Sequence, residues 1–133
     1  MVAMSSMNDT HLEEILIINR LDTAARSNDI QAVSEILKEL LEHTETHFSG
    51  EEKMMEEAVF PAYLAHKGEH DRHLQELKSL IQYFEQKQDT KAIYIYIEGS
   101  LTPWLINHIK TMDTMTALFL EQGLSTGCTT GNC

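Results

Sequence analysis

The stretch 61-PAYLAHKGEHDRHLQELKSLIQYFEQKQ-88 decides the fold. Tyr63, His66, His70, His73, Leu77, Leu80 and Phe84 recur at intervals of three, four or seven residues, the spacing of one face of an α-helix. Pro61 suits the first turn of such a helix, over about 61–88. One half of the inward face carries imidazoles and the other half hydrocarbon. His66 and His70 are four apart, about 40° around the helix axis. Two ring nitrogens can therefore reach one metal ion from adjacent turns.

Three further segments read as helices. The first runs from about Asp9 to Arg26, with Asn8 or Thr10 as cap, and Thr10 with Glu13 as a capping box. Its apolar stripe is Leu12, Ile15, Ile18, Leu21 and Ala25, and Ser27-Asn28 breaks it. The second runs from about Asp29 to Glu57, with Asn28 as candidate cap. Val33, Ile36, Leu40 and Met54 share its stripe, and Gly50 interrupts it at a cost of about 1 kcal/mol relative to alanine. The fourth runs from about Thr90 to Gln122, capped by Asp89 or Thr90. Its Ile93-Tyr94-Ile95-Tyr96-Ile97 alternates with the period of a strand. A lone strand has nothing to pair with, so the segment reads as a helix kinked between Gly99 and Pro103. Short connections between four amphipathic helices predict an all-α antiparallel four-helix bundle over residues 1–122. Residues 123–133, rich in Gly, Ser, Thr and Cys, are expected to form a flexible tail.

A chain of 133 residues has room for one domain. Asp and Glu number 21 against 10 Lys and Arg, for a net charge of −11. That balance excludes nucleic acid, whose phosphates require clustered Lys and Arg, and an anionic membrane surface. The first residues carry no secretory pattern, and the longest apolar run, Ile15 to Ile18, is too short to span a bilayer. Cys128 and Cys133 are expected as free thiols of a reducing compartment. The expectation is a soluble, cytoplasmic monomer whose protein partners the sequence does not name.

Against the acidic background stand seven histidines, and they are arranged. His47 and Glu51 repeat the four-residue spacing of His66 and His70. His108 and Asp113 are five apart, about 140° around an ideal helix. They share a site only if Asp113 approaches from the flank or the helix widens into a π-turn. His11 lies on the stripe of Ile15 and Ile18. Each helix thus offers an inward nitrogen or oxygen, and burying such groups without partners costs free energy. Five imidazoles and two carboxylates exceed the four ligands of one zinc. They suit two metals that share bridging carboxylates, and ligand type alone leaves zinc, copper and manganese open beside iron. The Glu-x-x-His motif of ferritin-like di-iron bundles is absent.

His11-Leu12 with Ile17-Ile18-Asn19, His47-Phe48-x-x-Glu51-Glu52-x-x-Met55, Phe60-Pro61 with His66-x-x-x-His70, and Trp104-Leu105-x-x-His108-Ile109-x-x-x-Asp113 resemble the hemerythrin family, specifically its bacterial members. The resemblance spans residues 11–113 and fills all seven ligand positions. It implies an up-down-up-down bundle and reversible dioxygen binding at a non-haem site of two oxo- or hydroxo-bridged iron ions. By the same resemblance, one iron takes His66, His70 and His108, the other takes His11 and His47, and Glu51 and Asp113 bridge them. The two-histidine iron keeps an open position for O2. Phe48, Trp104, Leu105 and Ile109 match the family's apolar O2 pocket, although bundle core alone would also explain them. His73 stands where the family usually has an aromatic residue and reads as a partner of a ligand, a pocket-lining group or a local structural histidine. His43 reads as solvated or as a partner of a ligand. Gly50 is smaller than the family's usual residue, and Pro103 is positioned to shift the last helix.

Two functions share this site: oxygen storage, delivery or sensing, and a di-iron oxidase, peroxidase or nitric oxide-handling enzyme. The apolar pocket and the lack of an evident substrate cleft favour the first. A proton or electron relay through His73 or Tyr63 would favour the second. A plain bundle with meaningless histidines requires coincidence at seven positions.

Overall fold

The structure, a computed structural model, describes residues 2–126, with side chains over 10–120. It contains α1 (Val2–Arg26), α2 (Ile30–Glu57), α3 (Tyr63–Lys87) and a long interrupted helix, α4, over residues 90–126. No strand occurs among the described residues. α1 packs against α2 and α4, and α2 against α3. Short turns join them, so neighbours run antiparallel and the chain goes up, down, up and down.

The turns follow from local chemistry. Asn28 takes the left-handed conformation at φ 57°, which Asn tolerates better than most residues. Asp29, rather than the expected Asn28, caps α2 by accepting from Ala32 N at 3.1 Å. Asp89 caps α4 in the same way, through Ala92 N at 3.2 Å. Thr90 Oγ1 donates to Asn28 Oδ1 at 2.8 Å and ties two connections together at one end of the bundle. α1 starts at Val2, before the expected Asp9, because no Gly or Pro stands in its way; neither Asn8 nor Thr10 is its cap. Pro61 lies in the turn before α3 instead of in its first turn.

The expected stripe of α1 rotates, and that of α2 holds at Val33, Ile36 and Leu40 but shifts by one residue at its far end. On α1, Leu12 is 59% exposed and Ile15 39%. The face that turns inward is His11, Glu14, Ile18, Leu21 and Ala25. On α2, Met55 is fully buried, whereas Met54 is half-buried.

α4 is where the sequence is least regular. It consists of α-helical Thr90–Tyr96, a π-turn at Ile97–Leu101, α-helical Thr102–His108, a second π-turn at Ile109–Asp113, and α-helical Thr114–Thr126. The expected kink near Gly99 and Pro103 is thus a widened turn. In it, Thr102 N–H bonds to Ile97 O, five residues back, which frees backbone just where Pro103 cannot donate. The alternating isoleucines resolve as helix: Ile93 and Ile97 are buried, and Ile95 faces out. The helix runs past Gly123 to Thr126. The rest of the expected tail, residues 127–133 with both cysteines, lies outside the described residues.

The bundle has two halves. Leu21, Leu37, Leu77 and Ile93, one from each helix, centre a hydrocarbon core in which each is at most 1% exposed. Burial of such a side chain contributes about 1.5–3 kcal/mol relative to leaving it in water. The other half holds the inward polar groups. No helix among the described residues is long and apolar enough to cross a membrane.

Candidate metal centre

All seven predicted ligands meet in the polar half, and each is at most 7% exposed. They form two overlapping groups: Glu51, His66, His70, His108 and Asp113, and His11, His47, Glu51 and Asp113. Within each group the ligand atoms lie within 4.8 Å of one another.

The second π-turn settles the five-residue puzzle. Thr114 N–H bonds to Ile109 O, and the Thr114 hydroxyl donates to the same oxygen at 2.6 Å. The extra residue brings Asp113 round beneath His108, so that Asp113 Oδ1 lies 3.0 Å from His108 Nε2. No approach from the flank is needed.

Both carboxylates divide their oxygens between the two groups. Asp113 Oδ1 also lies 2.9 Å from His66 Nε2, whereas Oδ2 lies 2.7 Å from His11 Nε2. Glu51 Oε2 lies 2.5 Å from His47 Nε2, and Oε1 3.1 Å from His70 Nε2. Glu51 Oε1 and His70 Nε2 nonetheless have no aligned hydrogen bond. His66 Nε2 faces His108 Nε2 at 3.2 Å, and at most one proton fits between two such nitrogens. Donor atoms that converge this closely, two of them without an aligned hydrogen bond, fit cations shared between them. The protein's own protons show the same preference. Burial lowers the proton affinity of His47, but hydrogen bonds to Glu14 and Glu51 outweigh it and lift the pKa to about 10. Burial raises that of Asp113, but hydrogen bonds from His108, His11 and His66 hold it well below the usual carboxylate range.

Sequence reasoning missed the groups behind the ligands. Glu14, 1% exposed, accepts from His47 Nδ1 at 3.2 Å. Glu52 Oε2 accepts from His70 Nδ1 at 2.9 Å, and Thr116 Oγ1 pairs with His66 Nδ1 at 2.8 Å. A carboxylate can only accept, so Glu14 and Glu52 hold the Nδ1 protons, and a cation that displaces the proton on Nε2 would meet a ring already turned to present that nitrogen inward. Glu14 falls three residues after His11, which is the one signal that could have found it.

The proposed pocket residues divide. Phe48 stacks on His70 at 3.7 Å between ring centroids, and Trp104 on His108 at 4.7 Å. Both therefore cover the three-histidine group. Leu105 is buried in the hydrocarbon core, and Ile109 packs against that core. His73 belongs to neither ligand group. It stacks on Trp104 at 4.0 Å, nearly parallel, and Trp104 Nε1 donates to Glu69. His43 Nε2 lies 3.4 Å from Glu13 Oε1.

Burial pushes the His73 pKa down to about 4 from its ordinary 6.5. The unfolded chain therefore takes up a proton at this position as pH falls through 6.5, while the folded chain resists until about 4. Stability due to neutral His73 is present above 6.5 and is lost as pH falls, by about 2 kcal/mol at pH 5. The variant His73→Phe is expected to lose less stability between pH 7 and 5 in denaturant melts than the parent. Equal losses would contradict this.

The Hemerythrin HHE cation binding domain family matches residues 3–117. The chain is 31% identical over 111 residues to the bacteriohemerythrin of Aquifex aeolicus, covering 84% of this chain and 85% of that one. It is also 31% identical over 112 residues to the bacteriohemerythrin of Stenotrophomonas maltophilia, covering 84% and 71%. A crystal structure of a hemerythrin mutant superposes with a TM-score of 0.74 over 87% of both chains, at 22% identity, and confirms the bundle fold. Matched over most of its length by family and relatives alike, and carrying a buried His/Glu/Asp cluster able to hold metal, the chain belongs to the hemerythrin family.

Proposed function

We propose that this chain binds dioxygen reversibly at two iron ions held by His11, His47, Glu51, His66, His70, His108 and Asp113. The division of both carboxylates between the two groups carries this reading, since it is the arrangement two adjacent cations require. Bound iron supplies the chemistry side chains lack, a reversible exchange of electrons with dioxygen. The side chains do the rest. Imidazole and carboxylate donors suit iron. The His11–His47 group offers one imidazole fewer than its neighbour, so ligand exchange is assigned to that side. Phe48 and Trp104 cover His70 and His108 on the other side, and every ligand side chain is at most 7% exposed.

The test is the absorption spectrum of the reduced, iron-loaded protein through air exposure and subsequent removal of oxygen. A spectrum that changes and returns supports reversible binding. One metal per chain, or zinc, overturns it. Irreversible oxidation would favour a di-iron enzyme, the reading to which the His73–Trp104–His108 stack lends support as an electron path out from a ligand.

Glu14 orients His47. Replacing it with leucine should weaken metal binding at the two-histidine group by roughly 10–100-fold, the usual cost of losing a hydrogen-bonding partner of a ligand. Stepwise metal titration reads this directly, and unchanged affinity for both ions would refute the role.

A further inference from the structure

We propose that the cleft between α1 and α2 lined by Glu13, His43, Thr46 and Gly50 is the route by which divalent metal ions reach the centre, with Glu13 and His43 as the outer docking pair. The inference rests on the metal centre proposed above. The cleft is about 200 Å3 in volume, and its floor is His47 and Glu51. That is room for several waters at about 30 Å3 each, so an ion can arrive hydrated and exchange its shell in steps. At the floor, Glu51 Oε2 lies 2.5 Å from His47 Nε2, so the two floor residues present an oxygen and a nitrogen donor side by side. His43, His47 and Glu51 succeed one another at four-residue intervals on α2, a ligand-type group on each turn from the mouth inward.

The lining chemistry separates this route from the others. A second cavity, of about 590 Å3, reaches His66 but is walled mainly by Phe60, Pro61, Met112, Met115 and Phe119, with the hydroxyls of Thr111 and Thr116 beside them and no carboxylate. Such a wall suits a small apolar molecule and offers a hydrated cation no negative charge. Phe48 and Trp104 cover His70 and His108 from the remaining side. At the polar mouth, the Glu13 side chain is 68% exposed, and its Oε1 lies 3.4 Å from His43 Nε2. A carboxylate and an imidazole so placed match the donor types of the centre itself. The net charge of −11 draws cations toward the surface. Gly50 keeps the passage open: a Cβ placed there would meet no atom within 4 Å.

The experiment is stopped-flow uptake of Co2+ by the metal-free 133-residue chain, followed by the visible bands of the bound ion. Glu13→Gln combined with His43→Ala should slow uptake by about tenfold and reduce its salt dependence, the expected scale for loss of electrostatic steering. Gly50→Leu, which fills the cleft and favours the helix, should slow uptake by a similar factor. Both should still take up two ions at equilibrium. Met115→Trp, in the apolar cavity, should load at the parent rate. Parent-like rates in either cleft variant, or slowed loading in Met115→Trp, would overturn the route. A parent chain that never takes up two ions would instead overturn the metal centre itself.

Discussion

Glu51→Ala is expected to abolish loading of the metal pair. Glu51, like Asp113, is a side chain on which both groups converge: its Oε2 serves the His47 side, and its Oε1 the His70 side. Its loss takes one oxygen donor from each group and leaves the imidazoles of His47, His66 and His70 with less negative charge among them. The effect should exceed the roughly 10–100-fold that follows from disturbing a partner behind a ligand. His108→Ala should act similarly, through the three-histidine group. Iron analysis after reconstitution and gel filtration measures the outcome. Two irons per chain retained in both variants would refute the ligand assignment.

The second large effect is on stability. Metal removal leaves five imidazoles and two carboxylates packed together, each at most 7% exposed. A buried polar group without a partner costs about 1–3 kcal/mol, and the His66–His108 contact sets two ring nitrogens against each other at 3.2 Å. Because such a site does not exist in the unfolded chain, the free energy of metal binding is added to that of folding. Chelation should therefore lower Tm by more than about 10 °C, the scale of several kcal/mol for a chain of this size. The hydrocarbon half around Leu21, Leu37, Leu77 and Ile93 contains no ligand. Hydrogen exchange should accordingly quicken at the His47–Glu51 and His66–His70 turns before it does in that half. Equal Tm with and without metal would contradict the account.

Much of this architecture is legible in the sequence, and the exceptions have physical causes. His66, His70, Leu77 and Phe84 lie on the face their spacing assigns. The ligand set is legible because imidazole and carboxylate recur at helical intervals within apolar stripes. Glu14 is not, because a pattern drawn through apolar residues alone passes over a buried carboxylate; Leu12 and Ile15 then pull the stripe off the true face. Thr116 is hidden for the same reason, as a small hydroxyl whose burial only its partner His66 reveals. The π-turn at Ile109–Asp113 is half legible. The five-residue interval shows that something must give, and only the backbone shows that the helix widens. The turn at Ile97–Leu101 was readable as an irregularity from Gly99 and Pro103, but not as its type.

The central claim is that seven side chains hold two irons, and iron stoichiometry tests it most directly. The chain should be stripped of metal, titrated anaerobically with Fe2+ and freed of unbound ion. The account predicts saturation at two irons per chain. Saturation at one, or retention of zinc in place of iron, would contradict it.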